Sequence, residues 1–244
     1  MAKVAVIIAA AGKSERFCGA EKKTFAKLDG RPVFIRTLEM FINRDDVCQT
    51  ILVVPPEDAD QMKDKYGANL GFMGVKLVQG GAERHQSVEA GLAEMSDQAD
   101  LVAVHDAARP CVTEAMIDAV FAEAVKSGAA ILACPLTGTI KRAADSGVVD
   151  ATVPRENLYE AQTPQVFKPA VLREAFAKRP QNGAQITDDA QVVELAGHPV
   201  AIVKSDATNI KITAKADMAL AAAIIRSRPS KARSKLGAFE EAQW

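Results

Sequence analysis

Short apolar runs recur along the chain at Val4–Ala9, Thr50–Val54, Val75–Val78, Leu101–Val104 and Ala129–Cys134. Unbroken hydrophobicity over so few residues predicts strands covered on both faces, because a half-exposed strand would alternate. Helix-period patterns lie between them. Pro32 suits the first turn of a helix whose apolar face is Phe34, Ile35, Leu38, Phe41 and Ile42. A second helix is expected to start at Thr113, to face Met116, Ile117, Val120, Phe121 and Ala124 inward, and to stop at Gly128. Strand and helix in alternation predict an α/β fold with a doubly wound, mostly parallel sheet.

The rhythm breaks after Cys134. Thr139–Lys141 and Val148–Val153 flank Asp145-Ser146-Gly147, which has the residue types of a turn. A β-hairpin arm at about 137–154 is predicted, and its exposed edges suggest packing on something else, a partner subunit being one candidate. Helix and strand then resume to Ile225. From Arg226 the chain is basic and poor in apolar residues, so the organisation expected is one domain over 1–225 and a frayed tail over 226–244.

Composition narrows the classes. The chain has 244 residues, 48% hydrophobic and 25% charged, with a formal net charge of -1. It can bury a full core, and nothing in its overall charge marks a nucleic-acid or membrane binder. Any anion site must therefore come from a local cluster of Lys and Arg. Cys18, Cys48, Cys111 and Cys134 form no C-x-x-C pair, which disfavours zinc and a disulfide framework. The N-terminal apolar run is too short for a membrane span and lacks the layout of a signal peptide, and a cytoplasmic protein is expected.

The candidate chemistry starts at the end of the first run. Ala9-Ala10-Ala11-Gly12-Lys13-Ser14-Glu15-Arg16 follows it directly, and Lys22, Lys23 and Lys27 come shortly after. Ligands of open α/β sheets bind beyond the carboxyl ends of strands, where small residues let backbone N–H groups approach a phosphate. From composition the segment reads equally as a phosphate grip or as a solvated basic turn. It is not G-x-G-x-x-G, since Ser14 interrupts it, and it is not a Walker A loop. A dinucleotide-binding dehydrogenase is accordingly disfavoured.

Two further loops project to the same edge if the sheet is parallel. Gly80-Gly81-Ala82-Glu83-Arg84 leads into a helix containing Ser87, and Leu101–Val104 runs into His105-Asp106-Ala107-Ala108-Arg109-Pro110. Asp106 could there approach a Mg²⁺ held on a triphosphate, or could simply cap a turn. His105 reads better as a hydrogen-bonded structural histidine than as a base.

These pieces, with Thr139, Arg155, Thr163-Pro164-Gln165, Thr187-Asp188 and Asn209-Ile210-Lys211, stand in an order that resembles the 2-C-methyl-D-erythritol 4-phosphate cytidylyltransferases of the non-mevalonate isoprenoid pathway. The resemblance runs from Val4 to about Ile225. It implies a Rossmann-like nucleotidyltransferase, with Mg²⁺ or another divalent cation, and a homodimer joined through the hairpin arm. Ala10, Ala11 and Gly12 would bind CTP through the backbone, while Gly81, Ala82, Ser87 and Ala107 would hold cytosine and ribose. Arg16 and Lys23 would stabilise the transition state. Asp106, Arg109, Thr139, Arg155, Thr163, Thr187 and Lys211 would surround methylerythritol phosphate, and of these Thr139 and Arg155 would serve the neighbour's site. Ser14 departs from the family, which often has glycine there. Lys22 stands where many members have proline, and the seven-residue step from Arg16 together with Phe25 favours Lys23 as the catalytic lysine.

The residue types agree with that chemistry. A phosphate monoester, with a second pKa of about 6, is already a nucleophile at neutral pH, so no Ser-His-Asp or Cys-His arrangement is needed. Phosphoryl-type transfer relies on positioning and on cations. Three rivals remain: a cytidylyltransferase acting on ribitol 5-phosphate or a similar polyol phosphate, a sugar-1-phosphate nucleotidyltransferase, and a nucleotide-binding regulator without turnover.

Overall fold

The computed structural model describes residues 1–11, 17, 24–81, 83–179 and 186–228. Strand β1 (Val4–Ala9) is followed by a small β2 (Lys27–Leu28) and β3 (Arg31–Pro32) ribbon, α1 (Val33–Glu39), β4 (Val47–Val54), α2 (Pro56–Phe72), β5 (Val75–Gln79), α3 (Arg84–Ala93) and β6 (Leu101–Asp106). Then come α4 (Glu114–Ser127), β7 (Ala129–Pro135), the hairpin β8 (Ile140–Ala143) and β9 (Val149–Val153), β10 (Tyr159–Phe167), α5 (Pro169–Ala177), α6 (Asp189–Leu195), β11 (Ala201–Lys204) and α7 (Lys215–Ser227).

The main sheet has the order β11-β7-β10-β6-β1-β4-β5. All pairings are parallel except those of β10, which runs antiparallel to both β6 and β7. The doubly wound, mostly parallel sheet expected from the apolar runs is thus present. Two core layers follow from it. Val6, Ile8, Leu52 and Ala103 face α1, α2 and α4, whereas Ile7, Ile51, Val53, Val102 and Val104 face α3, α5 and α6. Successive residues of one strand serve opposite layers, which is why these strands are apolar throughout.

Several boundaries move. β4 begins at Val47, ahead of the apolar run, and β6 carries two residues further than Val104, so that His105 and Asp106 belong to the strand. α1 starts at Val33 with Pro32 as its N-cap rather than in its first turn, and it ends at Glu39. Phe41 lies beyond the helix yet is fully buried, and Ile42 packs against the same core from a turn. α4 is capped as expected: Thr113 Oγ1 accepts the Met116 N–H, and Gly128, with φ 84°, ends the helix in the left-handed conformation that glycine adopts without steric cost.

The hairpin turns where predicted, with Gly147 at φ 78°. It forms a sheet of its own, and Val148 and Val149 are exposed on it. The boundary expected at residue 226 falls inside α7. Arg226 pairs with Asp29, and Arg228 donates to the Cys111 carbonyl at 2.7 Å. Residues 229–244 lie outside the described residues. Cys48, Cys111 and Cys134 are free thiols. Among the described residues no helix is long and apolar enough to cross a membrane.

Candidate active site

The strand order reverses at β1. From it the chain builds outward through β4 and β5 on one side and through β6 on the other, so the carboxyl ends of β1 and β6 flank the crevice where α/β sheets bind ligands. Ala9 and Asp106 are register partners across those two ends. The cleft there is lined by Ala9, Ala10, Ala11, Thr24, Arg84, Ser87, Asp106, Ala108 and Lys211. Three loops expected to share an edge do meet there.

On the β1 side, the Ala10 N–H is committed to the Val53 carbonyl at 2.8 Å. Gly12, Arg16 and Lys23 lie outside the described residues. Ala11 and Thr24, the described residues that flank most of that stretch, both line the cleft. Phe17 is buried among Ala26, Leu28, Val33 and Ala108.

The turn before α3 is compact. Gly80 donates to the Val54 carbonyl at 2.7 Å, and Gly81 donates to Ser87 Oγ at 3.2 Å. A Cβ on Gly80 would stand 2.3 Å from Ser87 Oγ, so only glycine lets this turn close on the serine. Ser87 Oγ also reaches the Glu83 carbonyl at 3.2 Å, which fixes the hydroxyl over the first turn of α3. Ala82 lies outside the described residues.

On the β6 side, burial pushes the Asp106 carboxyl upward, but Lys211, Arg84 and Arg109 outweigh it and hold the group well below the usual carboxylate range. Lys211 Nζ lies 2.7 Å from Oδ2, Arg109 Nε 3.6 Å from Oδ2, and Arg84 Nε 3.6 Å from Oδ1. Each cation is held from elsewhere. Arg109 Nη1 donates to the Asn209 carbonyl at 2.7 Å, and Ile212 N–H to the Ala108 carbonyl at 2.8 Å, which lays the Lys211 segment along the loop after β6. Arg84 Nη2 sits 2.8 Å from Asp189 Oδ2. Lys211 keeps more than a third of its side chain exposed, whereas Asp106 and Arg109 are buried. It is therefore the described cation of this group best placed to meet an incoming anion.

Thr163 and His105 brace the backbone on either side of this carboxylate, at Asp106 and Arg109. The Asp106 N–H donates to Thr163 Oγ1 at 3.0 Å, which leaves the hydroxyl proton for His105 Nδ1 at 3.0 Å; His105 Nε2–H then donates to the Arg109 carbonyl at 3.1 Å. Burial, the largest influence, pushes the imidazole from 6.5 down to about 4, so it is neutral at neutral pH. It is structural rather than a base, as its sequence setting indicated. The unfolded chain takes up a proton here between pH 6.5 and about 4 that the folded chain refuses, so stability is lost as pH falls through that window. An NMR titration should find this ring unprotonated down to about pH 5; a midpoint near the ordinary value would contradict the assignment.

Other expected site residues fall elsewhere. The Ala107 N–H is spent on the Ala9 carbonyl at 3.0 Å and its carbonyl accepts from Thr37 Oγ1 at 2.8 Å, so the residue serves as buried floor. Thr187 bonds Gln191 Oε1 at 3.1 Å ahead of α6 and does not line the cleft. Thr139 and Arg155 flank the base of the exposed arm, where Arg155 donates to the Thr137 carbonyl; neither lines the Asp106 cleft. Asp106 does not fit as a ligand for Mg²⁺. It is the one carboxylate among the described residues lining the cleft, and both of its oxygens face cations. No group of three acidic, His or Cys side chains suited to a metal occurs among the described residues.

Sequence reasoning gives no role to Arg84, Gln165 or Asn209 and misses Asp189. Gln165 Oε1 accepts the N–H groups of Asp189 and Ala190, each at 3.0 Å. Asn209 Nδ2 donates to Gln162 Oε1 at 2.9 Å and to the Thr163 carbonyl at 3.0 Å. The run Thr187-Asp188-Asp189 ahead of apolar residues is a helix-start signal, and Asp188 does cap α6. That signal marks Asp188 but does not disclose that its neighbour points inward.

Comparison with known proteins identifies the family. The sequence model of the family described as 2-C-methyl-D-erythritol 4-phosphate cytidylyltransferase matches residues 4–227. A protein of that name from Rhodopirellula baltica is 42% identical over 92% of this chain and 95% of its own length. The crystal structure of the 2-C-methyl-D-erythritol 4-phosphate cytidylyltransferase from Thermus thermophilus superposes with a TM-score of 0.76 at 35% identity, covering 92% of this chain and 99% of that one. The 4-diphosphocytidyl-2C-methyl-D-erythritol synthase of Anaerococcus prevotii gives a TM-score of 0.78 at 29% identity, with 92% and 99% covered.

Proposed function

Because the chain belongs to the 2-C-methyl-D-erythritol 4-phosphate cytidylyltransferase family, we propose that it transfers a cytidylyl group from CTP to 2-C-methyl-D-erythritol 4-phosphate. The products are 4-diphosphocytidyl-2-C-methyl-D-erythritol and pyrophosphate. The observation that carries this reading is Asp106, the register partner of Ala9 at the small-residue end of β1, with Lys211 paired to it at 2.7 Å at the switch point of the sheet. This supports a cleft shared by a nucleotide side and an acceptor side.

The acceptor's phosphate oxygen attacks the α-phosphorus in line. The new P–O bond forms as the bond to pyrophosphate breaks, and no protein base is required because the dianion is already present. Ala11 and Gly12 take the triphosphate, with Ala10, whose N–H is spent on Val53, as cleft wall, and Gly81, Ala82 and Ser87 take the nucleoside. Arg16 and Lys23 meet the charge that grows at the α-phosphorus. Asp106, Arg109 and Lys211 orient the acceptor, with Thr163 holding Asp106 in place. Mg²⁺ comes as the counter-ion of the nucleotide, and no protein ligand is assigned to it.

The arm joins two copies, so that Thr139 and Arg155 serve the partner's site. Its exposed Val148 and Val149 and separate sheet support this reading. Light scattering at micromolar concentration should give twice the chain mass; a monomer would count against it. The absence of a membrane-length helix among the described residues agrees with a cytoplasmic site of action.

Pyrophosphate release tests the substrate pair. It should be fast with CTP and methylerythritol phosphate, and slow with ribitol 5-phosphate as acceptor or with UTP or GTP as donor. Preference for ribitol 5-phosphate would move the acceptor assignment, and preference for UTP or GTP the donor assignment.

A further inference from the structure

Asp189 is fully buried at the start of α6, and Arg84 is its charged partner among the described residues. Neither of its oxygens meets hydrogen-bond geometry among those residues, so the Arg84 contact is an ion pair. A buried carboxylate with so little compensation adds little to stability, because desolvation offsets most of the attraction. Its geometry has a different use. The Arg84 guanidinium spans two carboxylates, presenting Nη2 to Asp189 at 2.8 Å and Nε to Asp106 at 3.6 Å.

We propose that Asp189 is a positioning residue for the transfer: by clamping Arg84 it fixes Asp106 on the acceptor side of the cleft. The inference rests on the cytidylyl-transfer reading above.

The clamp itself is rigidly mounted. Gln165, in the antiparallel strand β10, bonds the N–H groups of Asp189 and Ala190 through Oε1, and its Nε2 donates to Asp188 Oδ2 at 2.8 Å. The first turn of α6 is thereby tied to the sheet one strand away from β6. Arg84 is the first residue of α3, the helix that carries Ser87 and whose preceding turn carries Gly81. One guanidinium thus links the nucleotide turn to the acceptor carboxylate. A lysine in its place could face one carboxylate at a time, because only the planar fork reaches both.

The charge count points the same way. Among the described residues, Arg84, Arg109 and Lys211 surround Asp106, and Asp189 draws one of the three aside. With Asp189 in place, Arg84 approaches Asp106 only at 3.6 Å, and Lys211 holds the close contact at 2.7 Å. Without it, Arg84 is free to close on Asp106 and to compete with Lys211 for the same carboxylate.

The test is steady-state kinetics on the full chain for wild type, Arg84→Lys, Asp189→Asn and the double variant, with KM measured separately for CTP and for methylerythritol phosphate. Each single variant should lower kcat/KM for the acceptor about tenfold to a hundredfold, since a small misplacement at a distance suffices for that loss. KM for CTP should stay within about twofold. The double variant should be no worse than the weaker single one, because both break the same contact. Losses that multiply in the double variant would make Asp189 an independent structural residue and overturn the proposal, as would wild-type acceptor kinetics in either single variant. Arg84→Lys keeps a cation beside the buried carboxylate and decides the question if Asp189→Asn does not yield folded protein. Wild-type transfer with unaffected variants defeats this inference alone, whereas no transfer by wild type defeats the functional reading beneath it.

Discussion

Arg16→Ala and Lys23→Ala should each lower turnover about a hundredfold while leaving the fold intact. In-line attack on a phosphorus already surrounded by oxygens concentrates negative charge as pyrophosphate departs. A cation placed for that moment binds the transition state more tightly than the ground state, so its removal appears in kcat. Both residues lie outside the described residues, but Ala11 and Thr24 lead into and out of most of that stretch, and both line the cleft. Lys22→Ala is the control and should lose far less. Initial-rate measurements at saturating CTP and acceptor decide it. Wild-type turnover in Arg16→Ala and Lys23→Ala would remove them from the chemistry, and a loss in Lys22→Ala equal to that in Lys23→Ala would reassign the lysine.

The second large effect is expected at Asp106. Asp106→Asn preserves the shape of the side chain but leaves Lys211 and Arg109 without the carboxylate they face, and Arg84 with Asp189 alone. Breaking a buried charge group by removing one member costs about 3 kcal/mol, because the remaining charges stay desolvated. Lys211 is partly exposed and can turn to solvent, so most of the loss comes from Arg109, whose Nε is buried with no hydrogen-bond partner among the described residues. Urea unfolding should show the lowered midpoint. Acceptor KM should rise about tenfold or more, since Lys211 and Arg109 lose the group that aims them. An unchanged midpoint together with an unchanged KM would contradict the role given to this cluster.

The fold is legible where burial on both faces makes strands apolar from end to end. β1 coincides with its run, and α4 with its cap residues, because each is determined by local chemistry. Boundaries slip where burial continues after the backbone changes conformation. Phe41 is as buried in a turn as it would be in a helix, so periodicity over-extends α1. The reverse error shortens β6, because His105 and Asp106 are polar yet occupy strand positions in which each polar atom is bonded or paired. The insertion of β10 between β6 and β7 leaves no mark on its own residues, since strand order is a property of the assembled sheet.

The site divides along the same line. Small residues at the end of β1 and glycines ahead of α3 are required by close backbone approach, and so they show in the sequence. The partnership of Arg84 with Asp189 does not, because the two come together only when α3 and α6 pack on one face of the sheet. By residue type and place Asp106 reads as a metal candidate or a turn cap, and only the resemblance groups it with Arg109 and Lys211, since one carboxylate at a strand end looks alike whether Mg²⁺ or three side-chain cations surround it. Only the folded chain brings Lys211 and Arg109 to it.

The most direct measurement is ³¹P NMR of the purified chain incubated with CTP, Mg²⁺ and methylerythritol phosphate. The account predicts that the monoester and triphosphate signals decline together, while a pair of coupled diphosphate-diester resonances and one pyrophosphate signal appear in equal amounts. Intact CTP beside unreacted monoester, or release of inorganic phosphate without a new diphosphate diester, would contradict it.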